Sequence, residues 1–228
     1  MSLRDIVIYM DNVSTEAFFF NDFSNSYLPQ ILKEIYIDRV YEPHLRGKKD
    51  LTIVDIGANI GLTSYYFKDY AKIVYAVEPA KKHFDCIQKM VEYNKIKNIT
   101  PVNCAISNTN GLQRFYHNVN TTMYSLNPSV NDKNDFEEIN TLKMNIFMKK
   151  YNLDNIDFLK LDTEGFEGQI ITSDGFQEVK DKIGIIVGEW HTWGSMGREQ
   201  FASCLRDYGY KFTWYNNTEA SVFSAIRE

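Results

Sequence analysis

The stretch Val54-Asp55-Ile56-Gly57-Ala58-Asn59-Ile60-Gly61 decides the fold class, because it joins an apolar run to a helical stretch through a glycine-containing turn. Gly57 permits a tight turn and a close approach of the backbone to a ligand, and Gly61 lets the start of the helix pack closely. Free N–H groups at the helix start can hold a carboxylate, and Asp55 offers an anion for an ammonium group. The predicted ligand contacts in this loop are therefore Asp55, Gly57, Asn59 and Gly61.

The second indication of a ligand site is Glu78, which ends the next apolar run in Ala76-Val77-Glu78-Pro79. It follows Gly57 by about 20 residues, the position at which an acidic residue binds two ribose hydroxyls. The loop itself reads Gly-x-x-x-Gly rather than the dinucleotide pattern Gly-x-Gly-x-x-Gly, which weakens a nicotinamide interpretation without excluding it. A plain turn and an exposed strand-end carboxylate are the alternatives. Together, the glycine loop and Glu78 favour ligand binding, in which the carboxylate of Glu78 contacts the ribose hydroxyls.

Short apolar runs alternate with helical stretches along the rest of the chain. The predicted strands are Leu51–Ile56, Ile73–Val77, Thr100–Ile106, Ile156–Leu161, Ile183–Trp190, Tyr210–Tyr215 and Ala220–Ile226. The predicted helices are Leu62–Tyr70, Lys81–Asn94, Asp135–Tyr151, Gly168–Thr172 and Arg198–Tyr208. Such a pattern predicts an α/β protein with a mostly parallel, seven-stranded sheet. The last two strands lie too close for a crossover helix and predict an antiparallel hairpin, an arrangement typical of the Rossmann-like class I methyltransferase fold.

The first 50 residues differ from the rest. Tyr27–Tyr41 carries apolar residues near helical spacing, and Pro43 with the polar stretch after it is predicted to end the helix. We expect residues 1–50 to form a helical lid or brace and residues 51–228 to form the Rossmann-like domain.

Composition excludes several classes of function. The net charge of −5 and the lack of any run of five basic residues argue against nucleic-acid binding. The sequence contains no apolar run of 18 residues, so no membrane span is predicted, and the N-terminus lacks a signal-peptide pattern. The three cysteines Cys86, Cys104 and Cys204 suggest neither a disulfide framework nor a metal site. These features predict a cytoplasmic protein and leave its oligomeric state open.

Four further motifs carry a family resemblance: Val77-Glu78-Pro79, Asn103-Cys104-Ala105-Ile106-Ser107, Ile156-Asp157-Phe158-Leu159-Lys160-Leu161-Asp162-Thr163-Glu164-Gly165-Phe166-Glu167 and Glu189-Trp190-His191. With the glycine loop, they make residues 50 to 192 resemble the FkbM family of methyltransferases. The resemblance implies S-adenosylmethionine as cofactor, with Asn103 and Ala105 among its contacts, and methyl transfer to an oxygen. It also implies a hydroxylated small-molecule acceptor such as a sugar or natural product. Thr163 and Phe166 stand where Val and Ala are commoner in the family.

Methyl transfer requires an aligned acceptor, exclusion of water and removal of a proton. Asp162 and Glu164 follow the fourth predicted strand and His191 follows the fifth, so the three should converge as catalytic residues. Asp162 is also predicted to contact the cofactor. His191 is a candidate general base because its ordinary pKa is about 6.5, with Asp162 and Glu164 as alternatives. Lys160 is expected to pair with Asp162, and Glu167 to cap a helix or to join the site.

Asp162, Glu164 and Glu189 offer oxygen ligands for Mg²⁺ or Ca²⁺, but their spacing matches no recognised ion loop, so no metal is predicted. The polar stretch from Asn118 to Asn134 is expected to line the acceptor side. A non-catalytic S-adenosylmethionine-binding module, a nicotinamide-dependent oxidoreductase and an RNA methyltransferase are the competing functions.

Overall fold

A computed structural model of the chain describes residues 2–10, 13–21, 28–117, 124–126, 135–216 and 220–227. Its strands are β1 (Ser2–Met10), β2 (Val13–Asn21), β3 (Leu51–Ile56), β4 (Ala71–Val77), β5 (Ile99–Val102), β6 (Ala105–Ile106), β7 (Gly111–His117), β8 (Tyr124–Ser125), β9 (Phe136–Leu142), β10 (Ile156–Leu161), β11 (Ile183–His191), β12 (Tyr210–Trp214) and β13 (Ala220–Arg227). Its helices are α1 (Leu28–Leu32), α2 (Glu42–Leu45), α3 (Leu62–Phe67), α4 (Lys81–Tyr93), α5 (Met144–Lys150), α6 (Glu167–Thr172), α7 (Asp174–Val179) and α8 (Arg198–Asp207). A π-helical segment, Lys33–Ile37, continues α1, and a 3₁₀ turn, Lys180–Lys182, follows α7.

Seven of the described strands form the central sheet, in the order β12-β13-β11-β10-β3-β4-β5. The five strands from β11 to β5 run parallel, whereas β13 is antiparallel to both of its neighbours, β11 and β12. This confirms the predicted mostly parallel sheet closed by an antiparallel hairpin. The order reverses at β3, which has β4 on one side and β10 on the other. Ligands bind at such a reversal, outside the carboxyl ends of the strands.

The sheet is buried on both faces because its strands are apolar at successive positions. Phe158 and Leu159 of β10 point to opposite faces and belong to two separate hydrophobic cores. One core packs under α5, α6, α7 and α8, while the other packs under α3, α4 and the N-terminal helices. The two layers of helices leave the carboxyl edge of the sheet as the open side.

Gly57 explains how β3 and β10 meet at this edge. Its φ of +77° lies in the left-handed region, and a Cβ atom there would overlap the carbonyl oxygen of Asp162. Gly57 is thus required by the protein's own backbone, in addition to any need of a ligand. Gly61 has φ of +90°, and a Cβ there would lie 2.7 Å from Cε of Met90, so its close packing is against α4.

The predicted helix Asp135–Tyr151 is wrong in its first half. Residues Phe136–Leu142 form β9, and only Met144–Lys150 is helical. Glu138 and Asn140 are exposed, whereas Ile139 and Thr141 are buried, which is the alternation expected of a strand. Strand β9 pairs with β7 and β6 in a second sheet of four described strands, in the order β6-β9-β7-β8. The predicted strand Thr100–Ile106 is divided between the two sheets, as β5 and β6.

The predicted helix Tyr27–Tyr41 is observed in part, as α1 and the π-helical segment, and the separate short helix α2 follows at Glu42–Leu45. Pro43 does not end this region but lies in the first turn of α2, where its missing N–H costs no hydrogen bond. Ser2–Met10 and Val13–Asn21, which lie in the segment expected to be helical, pair instead as the antiparallel strands β1 and β2. Ile35, Tyr41 and Leu45 are buried in the core beneath α3 and α4, so the helical segment covers part of one sheet face. No helix in the described ranges is long and apolar enough to cross a bilayer.

Candidate active site

A cavity of about 540 Å³ opens at the carboxyl ends of β3, β4, β10 and β11. Its walls are the loop after β3, the turn after β4, the segment around Ala105, the loop after β10 and the end of β11. The N-terminal helices close one side with Gln30, Glu34 and Tyr41. The volume lies within the usual range for small-molecule sites.

Most of the predicted site residues lie on this cavity. They are Gly57, Asn59, Glu78, Ala105, Asp162, Glu164 and His191. Of the predicted polar stretch 118–134, only 124–126 is described, and Leu126 lines the cavity. Residues 118–123 and 127–134 lie outside the described residues.

Glu78 organises the loop after β3. Its Oε2 accepts a hydrogen bond from the backbone N–H of Asn59 at 2.9 Å, and its Oε1 accepts one from the N–H of Ala80 at 2.9 Å. Asn59 has φ of +52°, so Glu78 stabilises a left-handed residue. A carboxylate has about four lone-pair sites, which leaves acceptor capacity on Glu78 for hydroxyl groups of a ligand.

Three predicted contacts lie away from the cavity wall. Asp55 is fully buried, and Ser64 Oγ donates to its Oδ2 at 2.6 Å. Lys160 Nζ lies 3.3 Å from the other carboxylate oxygen of Asp55, so this residue faces protein rather than a ligand ammonium. Gly61 packs against Met90 of α4. Asn103 donates from Nδ2 to the carbonyl oxygens of Glu78 and Pro79, and thereby supports the turn after β4.

Lys160 is a buried cation that joins the ends of β3 and β10. Its Nζ donates to the carbonyl oxygen of Gly57 at 3.0 Å and to Asp162 Oδ2 at 3.2 Å. Burial by itself would lower the pKa of Lys160, but the charges of Asp162 and Asp55 outweigh it and raise the pKa well above its usual range. The expected pair with Asp162 is present, and Lys160 also fixes the glycine turn.

Glu167 anchors the loop after β10 and the imidazole of His191. Its Oε1 accepts from the N–H groups of Thr163 at 2.8 Å and Gly165 at 3.2 Å, and from Oγ1 of Thr163 at 3.1 Å. The same oxygen lies 3.0 Å from Nδ1 of His191. Glu167 is 1% exposed. It therefore positions the groups around the cavity without lining it.

The other nitrogen of His191 faces three carboxylates. Nε2 lies 3.6 Å from Oε2 of Glu189, 3.7 Å from Oε2 of Glu164 and 4.0 Å from Oδ1 of Asp162. Burial alone would lower the pKa of His191, but Glu167, Glu189 and Asp162 raise it to about 11. The imidazole is therefore held as an imidazolium at neutral pH.

Two carboxyl groups of this cluster, those of Glu164 and Glu189, have raised pKa values. Burial, followed by the charge of Asp162, raises the pKa of Glu164 to about 8. Burial also raises the pKa of Glu189. Glu34 of the π-helical segment lines the same cavity, and its pKa is raised to about 7 by burial and by the charges of Glu189 and Asp162. The sequence analysis does not name Glu34 as a site residue. The feature that marks it is structural: it lies on a π-helical segment, and such segments are common at functional sites.

Residues 55–212 match the methyltransferase FkbM domain. The chain belongs to the FkbM methyltransferase family. The match spans β3 to β12 and so includes the cofactor loop, Glu78, the Asp162–Glu167 segment and His191. S-adenosylmethionine is the cofactor of this FkbM protein.

Comparison with individual proteins agrees with this assignment. The FkbM protein is 26% identical over 216 residues to the methyltransferase sdnD of Sordaria araneosa, covering 80% of this chain and 82% of that one. Its fold is similar to that of the putative methyltransferase yhhF of Escherichia coli, with a TM-score of 0.52, 10% identity and 99% of both chains covered. It is also similar to the 16S rRNA N2 G1207 methyltransferase RsmC of T. Thermophilus, in complex with AdoMet and guanosine, with a TM-score of 0.54 and 13% identity. That match covers 99% of this chain and 51% of RsmC.

Proposed function

We propose that this protein transfers the methyl group of S-adenosylmethionine to a hydroxyl oxygen of a small, sugar-like or natural-product acceptor. The observation that carries the proposal is that the loop of Gly57 and Asn59, the carboxylate of Glu78 and the cluster around His191 line one cavity. One end of this cavity suits an adenosine ribose, and the other is rich in acceptors for hydroxyl groups.

The donor side is built by Glu78 and the loop that it holds. We assign the ribose hydroxyls to Glu78, which retains acceptor capacity after its two backbone bonds. Asn103 and Asp55 act indirectly, through the β4 turn and through Lys160 respectively. This arrangement would set the activated methyl group at the reversal point of the sheet, beside Asp162.

The acceptor side is built by Asp162, Glu164 and His191. In the transfer, an acceptor oxygen forms a bond to the methyl carbon, the carbon–sulfur bond breaks with its electron pair staying on sulfur, and the hydroxyl proton leaves. We assign that proton to a carboxylate of the cluster, Asp162 or Glu164. His191 is less suited as the base, because Glu167 engages Nδ1 and three carboxylates face Nε2.

The N-terminal 50 residues would serve as both brace and lid, with residues 51–228 as the catalytic domain. Ile35 and Leu45 are buried in a core of the central sheet, which is the bracing part. Gln30 and Glu34 line the cavity, which is the covering part. A covered cavity excludes water from the reacting sulfonium.

Calorimetry with S-adenosylmethionine and NAD, followed by a panel of sugar and natural-product hydroxyls with methyl-labelled donor, tests this function. We expect S-adenosylmethionine but not NAD to bind, and label to enter at least one acceptor as a methyl ether. Glu78→Ala should weaken S-adenosylmethionine binding at least tenfold, about 1.4 kcal/mol. The matched control is Glu92→Ala, on the exposed side of α4.

Two results would count against the proposal. Unchanged affinity in a folded Glu78→Ala variant would remove the ribose role of Glu78. Labelled nitrogen or carbon in place of oxygen would reject the acceptor chemistry while leaving the cofactor assignment intact.

A further inference from the structure

The cluster around His191 has the composition and spacing of a metal centre. Nε2 of His191 and the oxygens of Glu189, Glu164 and Asp162 converge from the ends of β10 and β11, with Nε2–oxygen distances of 3.6 to 4.0 Å. One ligand atom each from Asp162, Glu164 and His191 lies within 4.8 Å of the others. Two ligands that are each about 2.1 Å from an ion are at most about 4.2 Å apart. The three Nε2–oxygen distances are therefore short enough for a shared ion and longer than a direct hydrogen bond.

His191 is oriented as metal-bound histidines are. Its Nδ1 lies 3.0 Å from Oε1 of Glu167, and the imidazole is 2% exposed. A carboxylate behind the ring fixes the tautomer and leaves Nε2 as the ligand atom, which is the usual arrangement around metal centres. Glu167 is in turn held by Thr163 and Gly165.

A second observation, independent of the number of acidic groups, comes from Glu164. Its Oε2 is buried, and among the described residues it has no hydrogen-bond partner. This atom faces Nε2 of His191 at 3.7 Å. Its contact with Nε2 is longer than a hydrogen bond, so the loss of water by this carboxylate oxygen is only partly compensated.

We propose that Asp162, Glu164 and His191 bind one divalent cation, which takes the acceptor hydroxyl as a further ligand. The proposal rests on the proposed methyl transfer and extends it. Mixed imidazole and carboxylate ligands suit ions such as Mn²⁺ or Zn²⁺. A dication at this point would place positive charge among the carboxylates that face Nε2 of His191 and would bond the Glu164 oxygen that lacks a hydrogen bond. A metal-bound hydroxyl would be more acidic, which would favour transfer of its proton to the second, unbound carboxylate oxygen of Asp162 or Glu164. The acceptor is therefore a molecule that can bind a metal through a hydroxyl group or through two adjacent oxygens.

Direct metal binding to the full-length protein tests the site without any acceptor. Protein treated with EDTA and dialysed would be titrated with MnCl₂, with free Mn²⁺ followed by electron paramagnetic resonance, and with ZnCl₂ by calorimetry. We expect one ion per chain, and at least tenfold weaker binding in Glu164→Gln and in His191→Gln. Glu199→Gln, which removes an exposed carboxylate from α8, should bind as the wild type does.

Circular dichroism and S-adenosylmethionine affinity, measured on each variant, separate loss of the site from loss of the fold. Should His191→Gln fail to fold, Glu164→Gln decides, because Glu164 lies on a loop at the cavity rim. Absence of binding at 1 mM of either ion, or binding that survives both substitutions, overturns the metal site. Such a result leaves the methyltransferase proposal standing if S-adenosylmethionine still binds.

Discussion

At the residue scale, Gly57 shows how one position can serve both the backbone and the ligand site. Its left-handed φ turns the chain out of β3, and the missing side chain lets the carbonyl of Asp162 approach. Lys160 then donates to the carbonyl oxygen of Gly57 and to Asp162, which ties the two strand ends together. Substitution of Gly57 should therefore disturb the fold before it disturbs any bound cofactor.

The first prediction compares Gly57→Ala with Gly47→Ala. Both glycines have positive φ, +77° and +75°, but a Cβ at Gly47 meets nothing within 4 Å. Gly47→Ala should lower the free energy of unfolding by about 1 kcal/mol, the cost of the left-handed conformation. Gly57→Ala should lower it by about 3 kcal/mol or more, because overlap with Asp162 is added. Urea denaturation measures both, and equal losses would show that the backbone near Asp162 moves aside freely.

At the element scale, the π-helical segment Lys33–Ile37 brings a fifth carboxylate to the cavity. Glu34 lies near Glu189 and Asp162, while Lys160 partly offsets their repulsion and Asp38 adds to it. The segment packs through Ile35 on the sheet core, which keeps the backbone of Glu34 beside the cavity. The charge state of the cavity should therefore be linked to the stability of this element.

The second prediction concerns the pH dependence of that link. Burial and the two neighbouring carboxylates raise the pKa of Glu34 from 4.5 to about 7 in the folded protein. The folded state thus binds this proton more tightly than the unfolded state, so the contribution to stability falls as pH rises from about 4.5 to 7. Compared with Glu34→Gln, the wild-type melting temperature should fall over this window, in buffers that contain EDTA.

A surface substitution provides the control for this pH effect. Glu199→Gln removes an exposed carboxylate, so its melting curve should run parallel to that of the wild type across the same pH range. If Glu34→Gln runs parallel as well, the carboxyl of Glu34 is ionised normally and the link between lid and cavity is absent.

At the scale of the whole molecule, one core of the central sheet joins the N-terminal helices to the rest of the described fold. Leu45 and Ile35 share a core with Phe67 of α3 and Ile87 of α4. The cavity uses strand ends from the centre of the sheet together with a wall from the N-terminal helices. Stability and cavity shape should therefore depend on both regions at once.

The third prediction tests this coupling with Leu45→Ala. Leu45 is fully buried, so the truncation should lower the free energy of unfolding by about 3 kcal/mol and retain a single cooperative transition. Ile37→Ala, at a residue 71% exposed on the same helical region, should change stability by less than about 0.5 kcal/mol. Two separate transitions in the wild type would show instead that the N-terminal region folds independently of the sheet.

The sequence by itself determined the elements whose pattern is local. Apolar runs specified the seven strands of the central sheet, and the short polar link at 216–219 specified the closing hairpin, because period and spacing act within a few residues. For the same reason, the glycine loop and Glu78 predicted the donor site, and the Asp162–Glu167 motif predicted the catalytic residues. Period alone could not distinguish β9 from a helix, since its strand character depends on pairing with β6 and β7.

Only the tertiary structure decided how the charged side chains are used. Asp55 has the residue type expected of a ligand contact, but burial beside Lys160 and Ser64 turns it toward protein. His191 resembles a general base in isolation, yet four carboxylates from three segments surround it and hold its proton. Glu34 enters the cavity from more than 120 positions away from those residues. Electrostatic and desolvation effects depend on distance in space, which spacing along the chain does not encode.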